Sequence, residues 1–327
     1  MIITTITLNP CLDRREYLTH FEYGATNRPY HTSLSVGGKG INVSKTLLEL
    51  ILKDPDDSAT RVDTLTFAGG QSGEIFKELL TKKLSFGETV GGITVIPSRF
   101  ETRHCLKLVT PSGVTEINEA GSIGADEIKA LIDVLADLTV YPENRVVILS
   151  GSSPVWQKQN GFSTHVENVE SFPQDVEIDV ENLLITVLEG CGIPVIVDTS
   201  SKGLVESLKA SPSMIKPNET ELSELFGRPF DGEKELVDFC RELYVDNGCE
   251  VLCTRGEKGA LFVGKEGVFK RVSHRVFPCD PTGAGDTFLA AFVYGRYVKQ
   301  LANKECLNFA DQVTENFLKN SLKKDKQ

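Results

Sequence analysis

The chain lacks the features that mark several large classes of protein. Its sequence contains no apolar run approaching the ~18 residues that a membrane-spanning helix needs. It also lacks an excess of basic residues, because 46 Asp and Glu outweigh 35 Lys and Arg and leave a net charge of −11. That balance argues against binding to nucleic acid or to an anionic membrane. Any phosphate must therefore be bound in a local basic pocket or at a helix N-terminus.

Paired cysteine motifs are missing as well. The eight cysteines are scattered through 327 residues without CxxC spacing. This pattern favours reduced thiols in a cytoplasmic protein over a disulfide framework. Cys249 and Cys253 flank an apolar run and are expected in the core. Residues 1–8 lack the basic start of a signal peptide and predict a strand instead.

Strand-like segments alternate with helical patterns along most of the chain. This alternation predicts the α/β fold class with a largely parallel central sheet. The predicted strands are residues 2–7, 64–67, 146–149, 194–197, 214–215 and 251–253. The predicted helices are residues 41–52, 74–82, 125–138, 180–189, 202–208 and 234–244.

Two regions interrupt the alternation. Residues 16–21 with 30–36, and residues 92–96 with 103–109 and 114–118, have the period-two pattern of hairpins. We interpret them as a small β-sheet lid, built from the discontinuous segments 14–36 and 92–118 of a single domain spanning 1–327. Two surface hairpins without a function are the alternative.

A glycine-rich turn near the C-terminus organises the functional interpretation. Gly283, Ala284 and Gly285 open an almost entirely apolar helix, so that free backbone N–H groups and the helix dipole form an anion site. Asp286 would repel an anion there unless it has a chemical task, such as accepting a proton from an attacking hydroxyl. The simpler alternative is that Asp286 only complements the helix dipole. Cys279, beside the turn, is interpreted as a small buried hydrophobe, with redox sensitivity as the alternative.

A second glycine-rich segment precedes the first predicted helix. Its glycines, Gly38 among them, would let a ligand approach the backbone, Lys39 adds positive charge, and Asn42 offers both a donor and an acceptor. The segment does not match GxxxxGK[ST], so the chain is not a P-loop enzyme. Asp13 follows the first strand, at the edge where open α/β sheets bind ligands, although an Asx turn would also explain it.

Two segments lie at later strand ends. Asn218 and Glu221 have the spacing of a helix capping box. Thr254, Gly256 and Gly259 follow a buried strand, where a tight hairpin turn is the structural alternative.

Together these segments complete a recognisable pattern. Besides the turn at Asp286, the chain contains NPCLDR at 9–14, GGKGINV at 37–43 and KPNETE at 216–221. It resembles the PfkB (ribokinase-like) carbohydrate kinases, and within them the branch of 1-phosphofructokinases and tagatose-6-phosphate kinases. The resemblance runs from residue 1 to about 300. It implies a ribokinase-like three-layer α/β/α fold and ATP-dependent phosphorylation of a ketohexose phosphate, with ATP as co-substrate and Mg²⁺ as cofactor.

The resemblance also implies a role for each matching residue. Asp286 would be the general base, and Gly283, Ala284 and Gly285 would form the anion hole. The implied sugar-phosphate ligands are Asp13, Arg28, Gly38, Lys39, Asn42 and Arg103. The implied nucleotide ligands are Lys216, Asn218, Thr254, Gly256 and Gly259. Asn218 and Glu221 would position Mg²⁺ through water molecules.

The chain departs from the family pattern at two places. Pro281 stands where a Thr or small residue is usual, and residues 308–315 replace a helix rich in Ala and Gly that lines the adenine. Fructose 1-phosphate, tagatose 6-phosphate and fructose 6-phosphate all remain candidate substrates. A homodimer through the exposed edges of the lid is a further expectation.

Two other functions stay open at this point. A kinase for an unphosphorylated sugar or nucleoside is the first, and convergence of Lys39, Arg28 and Arg103 on one anion would argue against it. A non-catalytic regulator that binds a sugar phosphate is the second, although such a protein would not need the base at Asp286.

Overall fold

Two larger β-sheets, a small pair of two-residue strands and nine α-helices lie in the part of the chain that the computed structural model describes, namely residues 1–57, 59–85, 91–139, 142–157, 179–273 and 282–324. In chain order the strands are β1 (Ile2–Thr7), β2 (Cys11–Tyr17), β3 (His31–Gly37), β4 (Arg61–Gly69), β5 (Gly91–Ser98), β6 (Arg103–Thr110), β7 (Gly113–Asn118), β8 (Ser122–Ile123), β9 (Arg145–Ser150), β10 (Val155–Trp156), β11 (Val195–Asp198), β12 (Met214–Ile215), β13 (Glu250–Thr254), β14 (Ala260–Gly264) and β15 (Gly267–Arg271). Strands β8 and β10 pair with each other only, in parallel.

The large sheet has nine strands in the order β15-β14-β13-β12-β11-β9-β1-β4-β5. Every pair of adjacent strands from β5 to β13 is parallel. The last two pairings at the other edge, β13 with β14 and β14 with β15, are antiparallel. This confirms the predicted α/β class and its mostly parallel sheet. Each of the six predicted strands overlaps one of these nine.

Helices cover both faces of the large sheet. They are α1 (Lys39–Lys53), α2 (Gly70–Lys83), α3 (Ala125–Thr139), α4 (Val180–Gly190), α5 (Ser201–Leu208), α6 (Glu219–Phe226), α7 (Gly232–Asn247), α8 (Ala284–Val293) and α9 (Asn303–Lys324). One core cluster packs α1, α2, α8 and α9 on one face, and a second packs α3 to α7 on the other. Successive strand residues point to opposite faces, so Ile3 lies in the first cluster and Ile6 in the second.

The small sheet has four strands in the order β3-β2-β6-β7. Strand β2 pairs antiparallel with β3 and parallel with β6, so that two segments distant in sequence share one sheet. Residues 92–96 were wrongly assigned to this sheet, because they belong to β5, which pairs with β4 from Val62 to Gly69. Strand β5 is an edge strand with a half-exposed face, and such a strand has the same alternating pattern as a hairpin.

Several expectations concern other parts of the chain. Among the residues described, no helix combines the length and apolarity needed to cross a bilayer. Cys249 and Cys253 are buried as predicted, and the seven cysteines described are all free. Cys279 and Pro281 lie outside the described residues.

Candidate active site

A cavity of about 560 Å³ lies between the carboxyl ends of the large sheet and one face of the small sheet. Residues from β1, β2, β3, β6 and β7 line it together with the first turns of α1 and α8. This is the edge at which open α/β sheets bind ligands. Of the predicted residues, the cavity wall contains Asp13, Gly38, Lys39, Asn42, Arg103, Gly283 and Asp286.

The glycine-rich turn opens α8 as the sequence predicts. Gly283 is the N-cap with φ 85°, a left-handed conformation that favours glycine, and no side chain caps the helix among the residues described. The first-turn amides of Ala284, Gly285 and Asp286 have no partner within the helix. Helix α8 is buried from Asp286 onwards, and the positive end of its dipole lies at the cavity because Gly283 and Asp286 line the cavity wall.

Asp286 is buried in that first turn and bonded to α1. Its Oδ2 accepts a hydrogen bond of 2.8 Å from Nδ2 of Asn42. Burial, followed by the nearby charge of Asp198, raises the pKa of Asp286 to about 6, although Asn42, Lys216 and Lys39 oppose the rise. Asp286 is therefore ionised at neutral pH and a stronger base than an ordinary Asp.

Asp198, at the end of β11, joins two lysines of the site and was not predicted. Its Oδ1 lies 3.2 Å from Nζ of Lys39, and its Oδ2 lies 3.2 Å from Nζ of Lys216. Burial alone would lower the pKa of Lys39, but the attraction of Asp198 raises it. The signal available in the sequence was an acidic residue directly at the carboxyl end of a buried strand.

Asp13 faces the cavity from β2. One oxygen, Oδ2, is 3.0 Å from Nζ of Lys107 on β6, a residue that the sequence did not single out. The other oxygen, Oδ1, is buried and has no hydrogen-bond partner among the described residues. Asp13 therefore lines the cavity and has one carboxylate oxygen without a described partner.

The two predicted arginines separate. Arg103 begins β6 and lines the cavity, where its guanidinium donates to the carbonyl oxygens of Asn9 and Glu119, both at 3.0 Å. Arg28 lies exposed in the segment between β2 and β3 and outside the cavity wall. The structure thus brings Lys39 and Arg103 to one cavity but not Arg28, because residues 18–30 leave the strands instead of continuing them.

Positive charge nevertheless predominates in the cavity wall. Six cationic side chains line it beside four carboxylates. The sequence analysis identified Lys39 and Arg103 among the cations, but not Arg15, Lys45, Lys83 or Lys107. These four lie on four different strands and helices, and only the fold brings them together.

The predicted nucleotide residues gather beside the site at the ends of β12 and β13. Asn218 and Glu221 form the capping box of α6, with hydrogen bonds of 2.8 and 2.9 Å in the two directions. Thr254 forms a bridge with Asn218, and a short 3₁₀ turn from Gly256 to Lys258 follows it. Lys216 follows β12 directly and approaches the turn that opens α8. If Gly285 carried a Cβ atom, that atom would lie 3.7 Å from Nζ of Lys216.

Comparison with known proteins gives a consistent result. The model of the pfkB family carbohydrate kinases matches residues 6–314. The 1-phosphofructokinase of Borreliella burgdorferi is 30% identical over 297 residues, which cover 90% of this chain and 84% of that protein. The 1-phosphofructokinase of Bacillus subtilis is 30% identical over 312 residues, which cover 93% of this chain and 88% of that protein.

Solved structures share the fold. Phosphofructokinase-2 from Escherichia coli in complex with substrates and products superposes with a TM-score of 0.79 at 21% identity, covering 97% of this chain and 93% of that one. Ribokinase from Arabidopsis thaliana complexed with ribose and ATP gives a TM-score of 0.68 at 18% identity, covering 97% and 92%. The ribokinase-like architecture implied by the sequence is thereby confirmed.

Proposed function

Since the chain belongs to the pfkB family of carbohydrate kinases, we propose that it catalyses ATP-dependent phosphorylation of a ketohexose phosphate to a bisphosphate. One observation carries this proposal: a buried carboxylate, Asp286, lies in the first turn of an uncapped helix that ends at a cation-rich cavity. A base, an anion hole and a site for a phosphorylated acceptor are the three parts that such a transfer needs.

The residues of the chain have distinct tasks in this reaction. Asp13 accepts a hydrogen bond from a sugar hydroxyl and orients the ring, with Gly38 allowing close approach of the backbone. Asp286 accepts the proton of the attacking hydroxyl while the new bond to phosphorus forms and the bond to the ADP oxygen breaks. The amides of Gly283, Ala284 and Gly285 stabilise the charge on the migrating phosphoryl group. A loose transition state makes positioning and charge stabilisation more important than base strength.

The groups beside the cavity suit ATP and Mg²⁺. Lys216, Asn218, Thr254, Gly256 and Gly259 would hold the nucleotide. No cluster of three acidic, His or Cys side chains able to bind a metal directly occurs among the described residues. Magnesium retains several waters, and a carboxylate that caps a helix keeps acceptor capacity. Glu221, with Asn218 beside it, therefore fits a Mg²⁺ ion held through water, which would neutralise phosphate charge.

The cavity favours a phosphorylated acceptor over a free sugar or a nucleoside. Among the contacts described, Arg103 donates only to two carbonyl oxygens and to Sγ of Cys105, so no carboxylate offsets its charge and one N–H group remains for a phosphate. Lys39 adds a second cation on the opposite wall. Because the relatives reported above are 1-phosphofructokinases, fructose 1-phosphate is the first substrate to test.

The small sheet is proposed to act as a lid and as a dimer contact. One face of it lines the cavity, and closure over a bound sugar would exclude water and limit ATP hydrolysis. On the opposite face Leu34 and Ile117 are 44% and 55% exposed and lie in one register row with Leu106. Such an apolar face supports a homodimer, and sedimentation of a strictly monomeric protein at micromolar concentration would contradict it.

The reducing compartment follows from the cysteines. The seven described thiols are free, which supports activity in the cytoplasm. The small-molecule acceptor, and neither a nucleic acid nor a membrane, is then the partner of the cavity.

The test of function is a screen of ADP release with Mg²⁺-ATP. The acceptors are fructose 1-phosphate, tagatose 6-phosphate, fructose 6-phosphate, free fructose and adenosine. We expect turnover with at least one ketohexose phosphate and the highest kcat/KM with fructose 1-phosphate. Preference for free fructose or adenosine would contradict the proposal. Binding of a sugar phosphate without ADP release would instead indicate the non-catalytic regulator.

A further inference from the structure

Lys83, the last residue of α2, lines the cavity. Its Nζ donates two hydrogen bonds of 2.8 Å, one to the carbonyl oxygen of Val36 and one to Oδ1 of Asn42. Both acceptors are neutral, and Lys83 takes part in none of the ion pairs found in the part of the chain that the structure describes. Lys83 is half-buried, and an ammonium removed from much of its water with only two neutral acceptors is unusual enough to need a reason.

The contact with Lys83 favours one of the two possible orientations of the Asn42 side-chain amide. An ammonium can only donate, so the amide must present its oxygen to Lys83. The NH₂ end then faces Asp286, and this is the end that donates 2.8 Å to Oδ2. If the amide turned over, oxygen would face the carboxylate and both contacts would become repulsive.

We propose that Lys83 is a positioning residue for phosphoryl transfer, which acts through the Asn42 amide to hold Asp286 in place for proton transfer. Because the same ammonium also binds Val36 near the end of β3, it ties the small sheet to the base. The kinetic consequences rest on the proposed function, whereas the effect on Asp286 itself does not.

The surroundings of Lys83 support this role. Burial, followed by the charge of Lys45, lowers the pKa of Lys83 to about 8, although Asp286, Asp13 and Cys11 oppose the fall. At neutral pH the side chain is therefore still an ammonium. Above about pH 8 the neutral amine could also accept a hydrogen bond, and the preferred orientation of the amide would weaken.

The neighbouring Lys82 provides a matched control. It lies on the same helix, is 67% exposed and pairs with Glu78. In the sequence both lysines are ordinary cations in the last turn of a helix, where they complement its dipole. Only the side of α2 on which each one lies distinguishes them.

The first experiment needs no turnover. The carboxyl resonance of Asp286 is titrated by ¹³C NMR in the ATP-free protein, with Asp286→Asn to assign it. In Lys83→Met we expect the pKa of Asp286 to rise by about one unit, because its hydrogen-bond donor is no longer fixed. Lys82→Met should leave it unchanged. An unchanged pKa in Lys83→Met overturns the proposal.

The second experiment separates positioning from substrate binding. Lys83→Met should lower kcat at pH 7 by roughly tenfold with little change in the KM of the sugar phosphate, and Lys83→Arg should recover part of the loss. A raised KM with unchanged kcat would identify Lys83 as a substrate ligand and overturn the proposal. If Lys83→Met does not fold, Lys83→Gln takes its place in both experiments.

A double variant tests the route through Asn42. In an Asn42→Ala background, Lys83→Met should shift the pKa of Asp286 much less than in the wild type, because the mediating amide is gone. An equal shift in both backgrounds means that Lys83 acts directly and contradicts the proposal. Absence of wild-type turnover with every acceptor would refute the proposed function alone, since the NMR titration would still report on Lys83.

Discussion

The two halves of the cleft use their charges differently. On the proposed sugar side, which is the wall of the 560 Å³ cavity, Lys83 and Arg103 have only neutral acceptors among their described contacts. Lys39, Lys45 and Lys107 in the same wall each pair with a carboxylate. On the nucleotide side, which is the region beyond the ends of β12 and β13, cations are bound to carboxylates. Arg255 contacts Glu219 at 3.3 Å and Glu233 at 2.5 Å, and Lys258 and Lys270 pair with the same two acids.

This difference shows where a phosphate can be recognised. A cation that already has a carboxylate partner must give up that partner to bind another anion, and the exchange gains little. A cation held by neutral oxygens is oriented but keeps its charge available. Arg103 therefore keeps its charge available to a phosphorylated acceptor, whereas Arg255, Lys258 and Lys270 are paired with carboxylates and stabilise the fold.

The largest expected effect is at Asp286, between the two halves. Asp286→Asn should lower kcat by about 10³-fold, because the proton acceptor is lost. It should also raise the free energy of unfolding at pH 8 by about 2 kcal/mol, since a buried carboxylate with a raised pKa opposes folding when ionised. ADP release and urea unfolding measure the two changes. Asp238→Asn on the exposed side of α7 is the control, and full activity of Asp286→Asn would refute the assignment.

A pair of arginine variants tests the comparison directly. Arg103→Gln should raise the KM of the sugar phosphate by roughly 10–100-fold, because a charged donor to the phosphate is lost. Arg255→Gln should leave that KM within about twofold and lower the Tm instead, because Glu219 and Glu233 each lose one of the two cations that they contact. The opposite result, with affinity lost in Arg255→Gln and stability lost in Arg103→Gln, would reverse the interpretation of the two halves.

The pH dependence of kcat should also differ from the pH dependence of the Tm, because the two quantities depend on carboxylates in different halves of the cleft. As pH falls below about 6 Asp286 becomes protonated, so kcat should drop about tenfold for each further unit. Lys270 and then Arg255 lower the pKa of Glu233 to about 2, so its contribution to stability is present above the pKa of the unfolded state and is lost only as pH falls towards 2. Between pH 6 and pH 5, kcat should therefore decline while the Tm does not. A parallel decline of kcat and Tm over this range would contradict the assignment of the loss of activity to Asp286.

The smallest expected effect separates capping from nucleotide binding at Asn218. Asn218→Ala should cost about 1 kcal/mol of stability, because it removes the cap of α6. Asp179→Ala removes the side-chain cap of α4 and should cost a similar amount. Only Asn218→Ala should raise the KM of ATP, by roughly threefold. Equal ATP kinetics in the two variants would leave Asn218 with a purely structural role.

Some predictions made from the sequence were confirmed by the structure and others were wrong, and the physical reason differs from residue to residue. The alternation of strands and helices, and the position of Gly283 before an apolar helix, depend on neighbours within a few residues. Residues 92–96 were assigned to the wrong sheet because an edge strand and a hairpin have the same local pattern. Arg28 was expected in the cavity because no local signal marks where the chain leaves β2.

The sequence by itself determined the α/β class and the glycine turn that places Asp286 in the first turn of an apolar helix, because backbone conformation and hydrophobic period are local properties. Tertiary structure alone decided that Asp198 would join Lys39 to Lys216, that Lys107 would hold Asp13, and that Lys83 rather than Lys82 would face Asn42. All of these contacts except that of Asp198 with Lys216 join residues more than 40 positions apart, and no local pattern encodes which side of a helix or strand will meet a distant partner.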